Sequence, residues 1–281
     1  MAEPITGDNF FTNRIFSPVL NIPIRYNLNQ SRHPEFHWQA VVILLIVLIL
    51  IGFIGGEMNW KQAYRSFYYE GAPEPRDLEL QYRNTALLTI DIQNTYMKPA
   101  EDPIERERWA PFRTRMNEIV IPTISDLQNR FRRKGIDVLH ARIACLLDDG
   151  RDRSLSQKKP GWNYLLLPLN TEDSQIVPEL SPATGEIVVS KTTDSALTGT
   201  NLRLVLHNMG IENVIMGGIF TDQCVSSTVR SLADESFNVV VVEDCCAAGT
   251  DNLHYRELEI INMIYCHVIS SQELIEIMNL T

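Results

Sequence analysis

The stretch NVIMGGIFTDQCVSSTVRSLADESFNVVVVEDCCAA, residues 213–248, decides the fold. It opens on one apolar run, NVIMGGIF (213–220), and closes on another, NVVVVEDCCAA (238–248). Between them Val225, Val229, Leu232 and Ala233 recur with helical spacing. Short Val/Ile-rich runs joined by a helix, with no polar alternation in the runs themselves, indicate strands of a parallel sheet buried on both faces.

The same pattern extends outward in both directions. Upstream, EIVVSK (186–191) is a strand, and Leu202, Val205, Leu206 and Met209 mark a helix closed by Gly210. TALLTID (85–91) and IDVLHARIA (136–144) are two earlier strands. Between these two, Met116, Ile119, Val120, Ile124, Leu127 and Phe131 predict a helix that Gly135 stops. Downstream, CHVIS (266–270) is a sixth strand. Residues 146–185 form a long irregular connection carrying KKPGWNYLLLPL. The fold class is therefore α/β: one doubly wound, mostly parallel six-stranded sheet with helices on both faces, spanning residues 85–281.

The chain before this domain is of a different kind. Residues 40–51 read AVVILLIVLILI within an apolar stretch, 37–56, that is long enough to span a bilayer. It is read as one transmembrane helix. Residues 1–36 are then an irregular N-terminal extension, and 57–84, with GAPEPRD at 71–77, a juxtamembrane helix followed by a linker. Arg25 and Arg32 on one side are matched by Lys61 and Arg65 on the other, so positive charge does not orient the span. The five cysteines are odd in number and two are adjacent. That is not a disulfide framework, and it favours a reducing compartment with the C-terminal domain facing the cytoplasm. A formal net charge of −10 argues against a nucleic-acid partner.

In open α/β sheets, ligands bind outside the carboxyl ends of the strands. Three reactive residues fall at such ends: Asp91 after the first strand, Lys191 at the end of the third, and Cys224 just past the fourth at a helix start. Taken singly, each has an ordinary reading as helix cap, edge charge or small core residue. Together they form an acid–base group, an ammonium and a nucleophile at one edge of the sheet. A helix start and a nearby ammonium favour the thiolate, while a nearby carboxylate opposes it.

TALLTIDIQNTYM (85–97), EIVVSKTTDSALTGTNL (186–202) and the opening stretch resemble, in order, the three blocks of the isochorismatase-like cysteine hydrolases. The resemblance covers most of 85–275 and none of 1–80. It implies that Asp91, Lys191 and Cys224 are the catalytic triad of a hydrolase that attacks a carbonyl carbon and passes through a thioester. It further implies a cis peptide at Ile219–Phe220 and an oxyanion hole built from the backbone N–H groups of Phe220 and Cys224.

Departures from the family pattern narrow the substrate. The cysteine sets the chain apart from vinyl-ether hydrolases of isochorismatase type. ARIACLLDDGRDRS (141–154) lacks the histidine of the metal-binding nicotinamidases, so no metal and no cofactor are expected, and His140 is read as structural. The expected activity is cleavage of a C–N bond in a small amide or ureido compound. A non-catalytic, membrane-tethered interaction module, a vinyl-ether hydrolase of isochorismatase type and a redox-sensing Cys224 are the alternatives. Gln93, Tyr96, Trp162 and Thr221 are candidate substrate contacts by position, with Thr221 also organising the turn before Cys224. Cys245 and Cys246 are read as core thiols. The partners expected are a small-molecule substrate, the membrane through residues 37–56, and a second copy of the chain in a homo-oligomer.

Overall fold

A computed structural model describes residues 59–160 and 164–281. Six strands form a single sheet in the order β3-β2-β1-β4-β5-β6. They are β1 (Thr85–Ile90), β2 (Asp137–Ile143), β3 (Ile187–Lys191), β4 (Asn213–Ile219), β5 (Asn238–Ala247) and β6 (His267–Ile269). Every pairing is parallel. The strand order runs outward in both directions from β1 and β4, so the crevice between their carboxyl ends is the topological switch point, where ligands bind in such sheets.

The helices are α1 (Asn94–Met97), α2 (Pro103–Arg108), α3 (Ala110–Arg115), α4 (Ile121–Arg133), α5 (Leu202–Asn208), α6 (Ser226–Asp234), α7 (Asp251–Ile261) and α8 (Ser271–Ile277). Both faces of the sheet are covered. On one side Leu202, Leu206, Val229, Leu232, Leu258 and Ile261 from α5, α6 and α7 pack on Leu88, Ile90, Val214 and Met216. On the other, Phe112, Ile124, Leu127, Phe131 and Leu274 from α3, α4 and α8 pack on Leu87, Ile215 and Val240. β1 and β4 are buried at every residue, which is why they carry no polar alternation.

Two local readings are corrected. Met116–Val120 is a π-helical turn joining α3 to α4. A π turn takes more residues than an α turn, so the buried face passes through Met116, Val120 and Ile124, while Ile119, expected on it, is 41% exposed. Residues 59–84 contain no α-helix and are not a detached linker: a hydrogen-bonded turn over 60–64 is followed by short 3-10 turns at Phe67–Tyr69 and Tyr82–Asn84. Trp60 is buried with its ring edge-on to His267 at 5.3 Å, and its backbone N–H donates to Glu273 Oε1 at 2.7 Å. The Tyr82 hydroxyl donates to the Met278 carbonyl at 2.6 Å.

Among the described residues no helix is long and apolar enough to cross a membrane. The apolar run 37–56, read as a span, lies outside the described residues, as do the extension 1–36 and Trp162.

Candidate active site

β1 delivers Asp91 to the switch point in an unusual backbone conformation. Its φ is +57°, a left-handed value that Asp and Asn adopt more readily than other residues with a side chain. Its N–H donates to the Ala141 carbonyl at 2.9 Å, fixing it against β2. β4 reaches the same point along a path that admits only glycine. A Cβ on Gly218, whose φ is +133°, would lie 2.2 Å from the Ile90 carbonyl oxygen. The Ile219–Phe220 peptide bond that follows is cis. Thr221–Val225 then forms a π-helical turn leading into α6, with Cys224 inside it.

β3 lies two strands away from β1, about 10 Å at ordinary strand spacing. Lys191 bridges that gap by virtue of its length. It is completely buried, and its Nζ lies 2.7 Å from Asp91 Oδ2 and 3.3 Å from Cys224 Sγ. A third contact, to the Thr193 carbonyl at 3.0 Å, anchors the ammonium. One cation therefore touches both the acid and the thiol. Asp91 is also buried, and among the described residues neither of its oxygens accepts a well-angled hydrogen bond despite the close ammonium.

Burial sets the protonation states. It pushes the Asp91 carboxyl up, against the opposing pull of Lys191. Burial and then the Asp91 charge push the Cys224 thiol well above its ordinary value, and Lys191 only partly offsets them. Burial would lower Lys191, but Asp91 and Cys224 outweigh it and hold the ammonium charged. Burial and the Asp91 charge thus oppose a Cys224 thiolate, against the pull of Lys191 in its favour.

The other residues read as site candidates divide. Tyr96 lies near the triad residues: its ring meets Phe220 edge-on at 5.4 Å, and burial followed by the charges of Asp91 and Cys224 pushes its phenol well up. Gln93 has its amide engaged by backbone groups. Its Nε2 donates to the carbonyls of Ile143 and Ser174 at 2.9 and 2.8 Å, and its Oε1 accepts from the Ile143 N–H at 3.0 Å, so the side chain clamps the ends of β1 and β2 to the long connection. Thr221 is fully buried and shares a 2.8 Å hydrogen bond with His254 Nδ1, which suits the organisation of the turn and leaves its hydroxyl occupied. His140 bonds Thr89 Oγ1 and Glu186 Oε2, each at 3.0 Å, as a structural histidine does. Cys245 and Cys246 are buried on opposite faces of the sheet. Among the described residues no group of three or more His, Cys, Asp or Glu is gathered to hold a metal ion.

Sequence reasoning missed two features of the site. Trp109 and Phe112 close around Phe220 at 5.9 and 5.2 Å between ring centres, forming an apolar wall. Asp194 accepts from Cys224 Sγ at 3.8 Å and from Gln157 Nε2, and Gln157 Oε1 accepts from Arg153 Nη2 at 2.6 Å. No periodicity marks these residues, because α3 is too short to show one and Arg153, Gln157 and Asp194 sit on connections whose path depends on the rest of the fold.

This fold and site place the chain in a known class. Residues 85–273 match the Isochorismatase domain, and the chain belongs to the isochorismatase family of hydrolases. It is 29% identical over 161 residues to an N-carbamoylsarcosine amidase from Arthrobacter, a match covering 56% of each chain. It is 26% identical over 216 residues to the ureidoacrylate amidohydrolase RutB of Acinetobacter baylyi, covering 72% of this chain and 86% of that one. The crystal structure of an isochorismatase family protein from Desulfovibrio vulgaris superposes with a TM-score of 0.58 at 27% identity, covering 69% of this chain and 98% of that one.

Proposed function

We propose that the protein is a cysteine amidohydrolase that cleaves the C–N bond of a small amide or ureido compound, with Asp91, Lys191 and Cys224 as its catalytic triad. The observation that carries this reading is the single buried ammonium in contact with both an acid and a thiol at the sheet's switch point. Relatives that act on N-carbamoylsarcosine and ureidoacrylate support the substrate class.

The chemistry follows from the charges. Asp91 takes the Cys224 proton as the sulfur attacks the carbonyl carbon, so the thiolate forms only when an electrophile is present. The backbone N–H groups of Phe220 and Cys224 receive the oxyanion. Asp91 returns the proton to the leaving nitrogen as the C–N bond breaks, releasing ammonia or an amine and leaving a thioester. Water then attacks this carbon while Asp91 takes its proton, the C–S bond breaks, and the sulfur is reprotonated. The net reaction adds one water and yields an acid. Lys191 stays charged throughout, orienting Asp91 and offsetting the sulfur's negative charge.

A single-pass tether through residues 37–56, with this domain facing the cytoplasm, completes the proposal. It is supported by the length of the apolar run and by five cysteines that are all unpaired. The test is ammonia release from a panel of small amides and ureas by the full chain in detergent. Activity that Cys224→Ala abolishes is expected; activity that survives this substitution removes the sulfur from the mechanism.

A further inference from the structure

The segment that leads into the domain carries five aromatic residues between positions 60 and 69, and they fall into two groups. Trp60 is buried, Tyr64 stacks on Tyr255 with ring centres 6.3 Å apart, and Tyr69 is half-buried. Phe67 and Tyr68 are instead 80% and 84% exposed, and their rings meet each other edge-on at 5.8 Å.

The loop that displays this pair is tied down on both sides. Asn262 Nδ2 donates to the carbonyls of Ala63 and Tyr64, each at 3.1 Å, which fastens the segment to the end of α7. The Arg65 guanidinium then gathers the carbonyls of Lys61, Tyr69 and Ala72, at 2.8, 3.3 and 2.5 Å. Phe67 and Tyr68 lie at the tip of the loop so closed, on a 3-10 turn in which the Tyr69 N–H donates to the Ser66 carbonyl at 2.8 Å. Two large rings are thus held together in water, where they gain nothing from burial.

Their place in the chain selects what covers them. Asn59 follows Gly56, the last residue of the apolar run 37–56, by three residues, so the described chain begins within about 10 Å of the end of that run. Beside a membrane segment, aromatic side chains collect at the level of the lipid headgroups, where a tyrosine keeps its hydroxyl wet and its ring dry. Charge narrows the lipid further. Residues 57–79 hold three basic side chains against five acidic ones, Lys61 is paired with Asp77, and Arg65 is engaged by carbonyls. Attraction to an anionic leaflet calls for a cluster of Lys and Arg, the opposite of this composition.

We propose that Phe67 and Tyr68 are a membrane-docking tip, which enters the headgroup region of a zwitterionic phosphatidylcholine bilayer and seats the domain on it. This goes beyond the hydrolase reading and is independent of its chemistry; it rests on the tether for the choice of a bilayer as occupant.

The test uses the unmodified full chain, reconstituted in phosphatidylcholine vesicles whose lipid carries a photoactivatable diazirine high on one acyl chain. After illumination, trypsin releases residues 66–76, SFYYEGAPEPR, which hold the tip, and residues 154–158, SLSQK, which hold Leu155, 80% exposed on the connection after β2. Label in 66–76 is expected on Phe67 and Tyr68, at about tenfold or more the level in 154–158, with no dependence on added phosphatidylserine. Phe67→Ser and Tyr68→Ser together should lower it about tenfold, as loss of two partly buried rings implies, and leave the melting temperature unchanged. Equal labelling of the two peptides, labelling that survives the double substitution, or labelling seen only with phosphatidylserine would overturn the docking. So would a tip that is shielded from a water-soluble diazirine yet unlabelled by lipid, since a second copy of the chain or residues 1–36 would then cover it. Carbonate extraction of the same vesicles separates the docking from the tether. A chain that washes off but is labelled at 66–76 when vesicles are added back keeps the docking and loses the tether; a retained chain with an unlabelled tip does the reverse.

Discussion

Replacing Asp91 by Asn should make Cys224 more reactive toward an alkylating agent while abolishing turnover. Asn tolerates the left-handed backbone at this position as Asp does, so the substitution removes the charge with little change of shape. One ammonium touches the carboxylate at 2.7 Å and the sulfur at 3.3 Å, so the two lie within about 6 Å of each other. At an effective dielectric of about 20, a carboxylate at that distance disfavours a thiolate by about 3 kcal/mol. Such an energy is about a hundredfold in thiolate population, and the freed Lys191 acts in the same direction. The rate of Cys224 carbamidomethylation at neutral pH, followed by peptide mass spectrometry, should therefore rise by about tenfold to a hundredfold. The other four cysteines, all buried and unpaired, serve as internal references. Loss of the base should lower kcat by about a hundredfold or more. An alkylation rate that is unchanged or slower in Asp91→Asn would refute the reasoning, since it would mean that Asp91 promotes the thiolate in the resting enzyme.

Three further outcomes are expected. Asp91 must be ionised to accept the thiol proton and burial raises its pKa, so kcat/KM should be lost as pH falls through a value above the ordinary 3.8 of an aspartate; an acid limb at or below that value contradicts the burial argument. Gly218→Ala should cost more than about 4 kcal/mol or prevent folding, as read from thermal melting by circular dichroism, because its Cβ would meet backbone atoms of Ile90 at 2.2 and 2.6 Å. Deleting residues 1–56 should leave a soluble domain, whereas Trp60→Ala in that shortened chain should lower its stability by about 3–5 kcal/mol in urea unfolding, because Trp60 belongs to the core.

Much of the architecture could be read from periodicity. β1 and β4 are buried at every position, and their continuous apolar runs stand out from any surface segment. The helices announce themselves by one apolar face, as α4 does through Ile124, Leu127 and Phe131. Asp91, Lys191 and Cys224 were legible because each stands at a strand end, and strand ends of a parallel sheet share one side. The π-helical turn at Met116–Val120 was not, since it alters the phase of a helix without changing residue type. Nor was the role of residues 59–84: the packing of Trp60 against His267 joins positions over two hundred residues apart, and no local pattern encodes such a contact.

The parallel, doubly wound sheet and the placing of Asp91, Lys191 and Cys224 at its carboxyl edge could be read from the residues alone, because burial on two faces and the order of strands and helices are written in local composition. Only the tertiary structure decided what those groups do to one another. Lys191 reaches across β2 to touch both partners, burial opposes the Cys224 thiolate and raises the Asp91 carboxyl, and Gln93 clamps backbone carbonyls. The physical reason is that protonation and hydrogen bonding depend on distance and exclusion of water, and both arise from segments brought together through space.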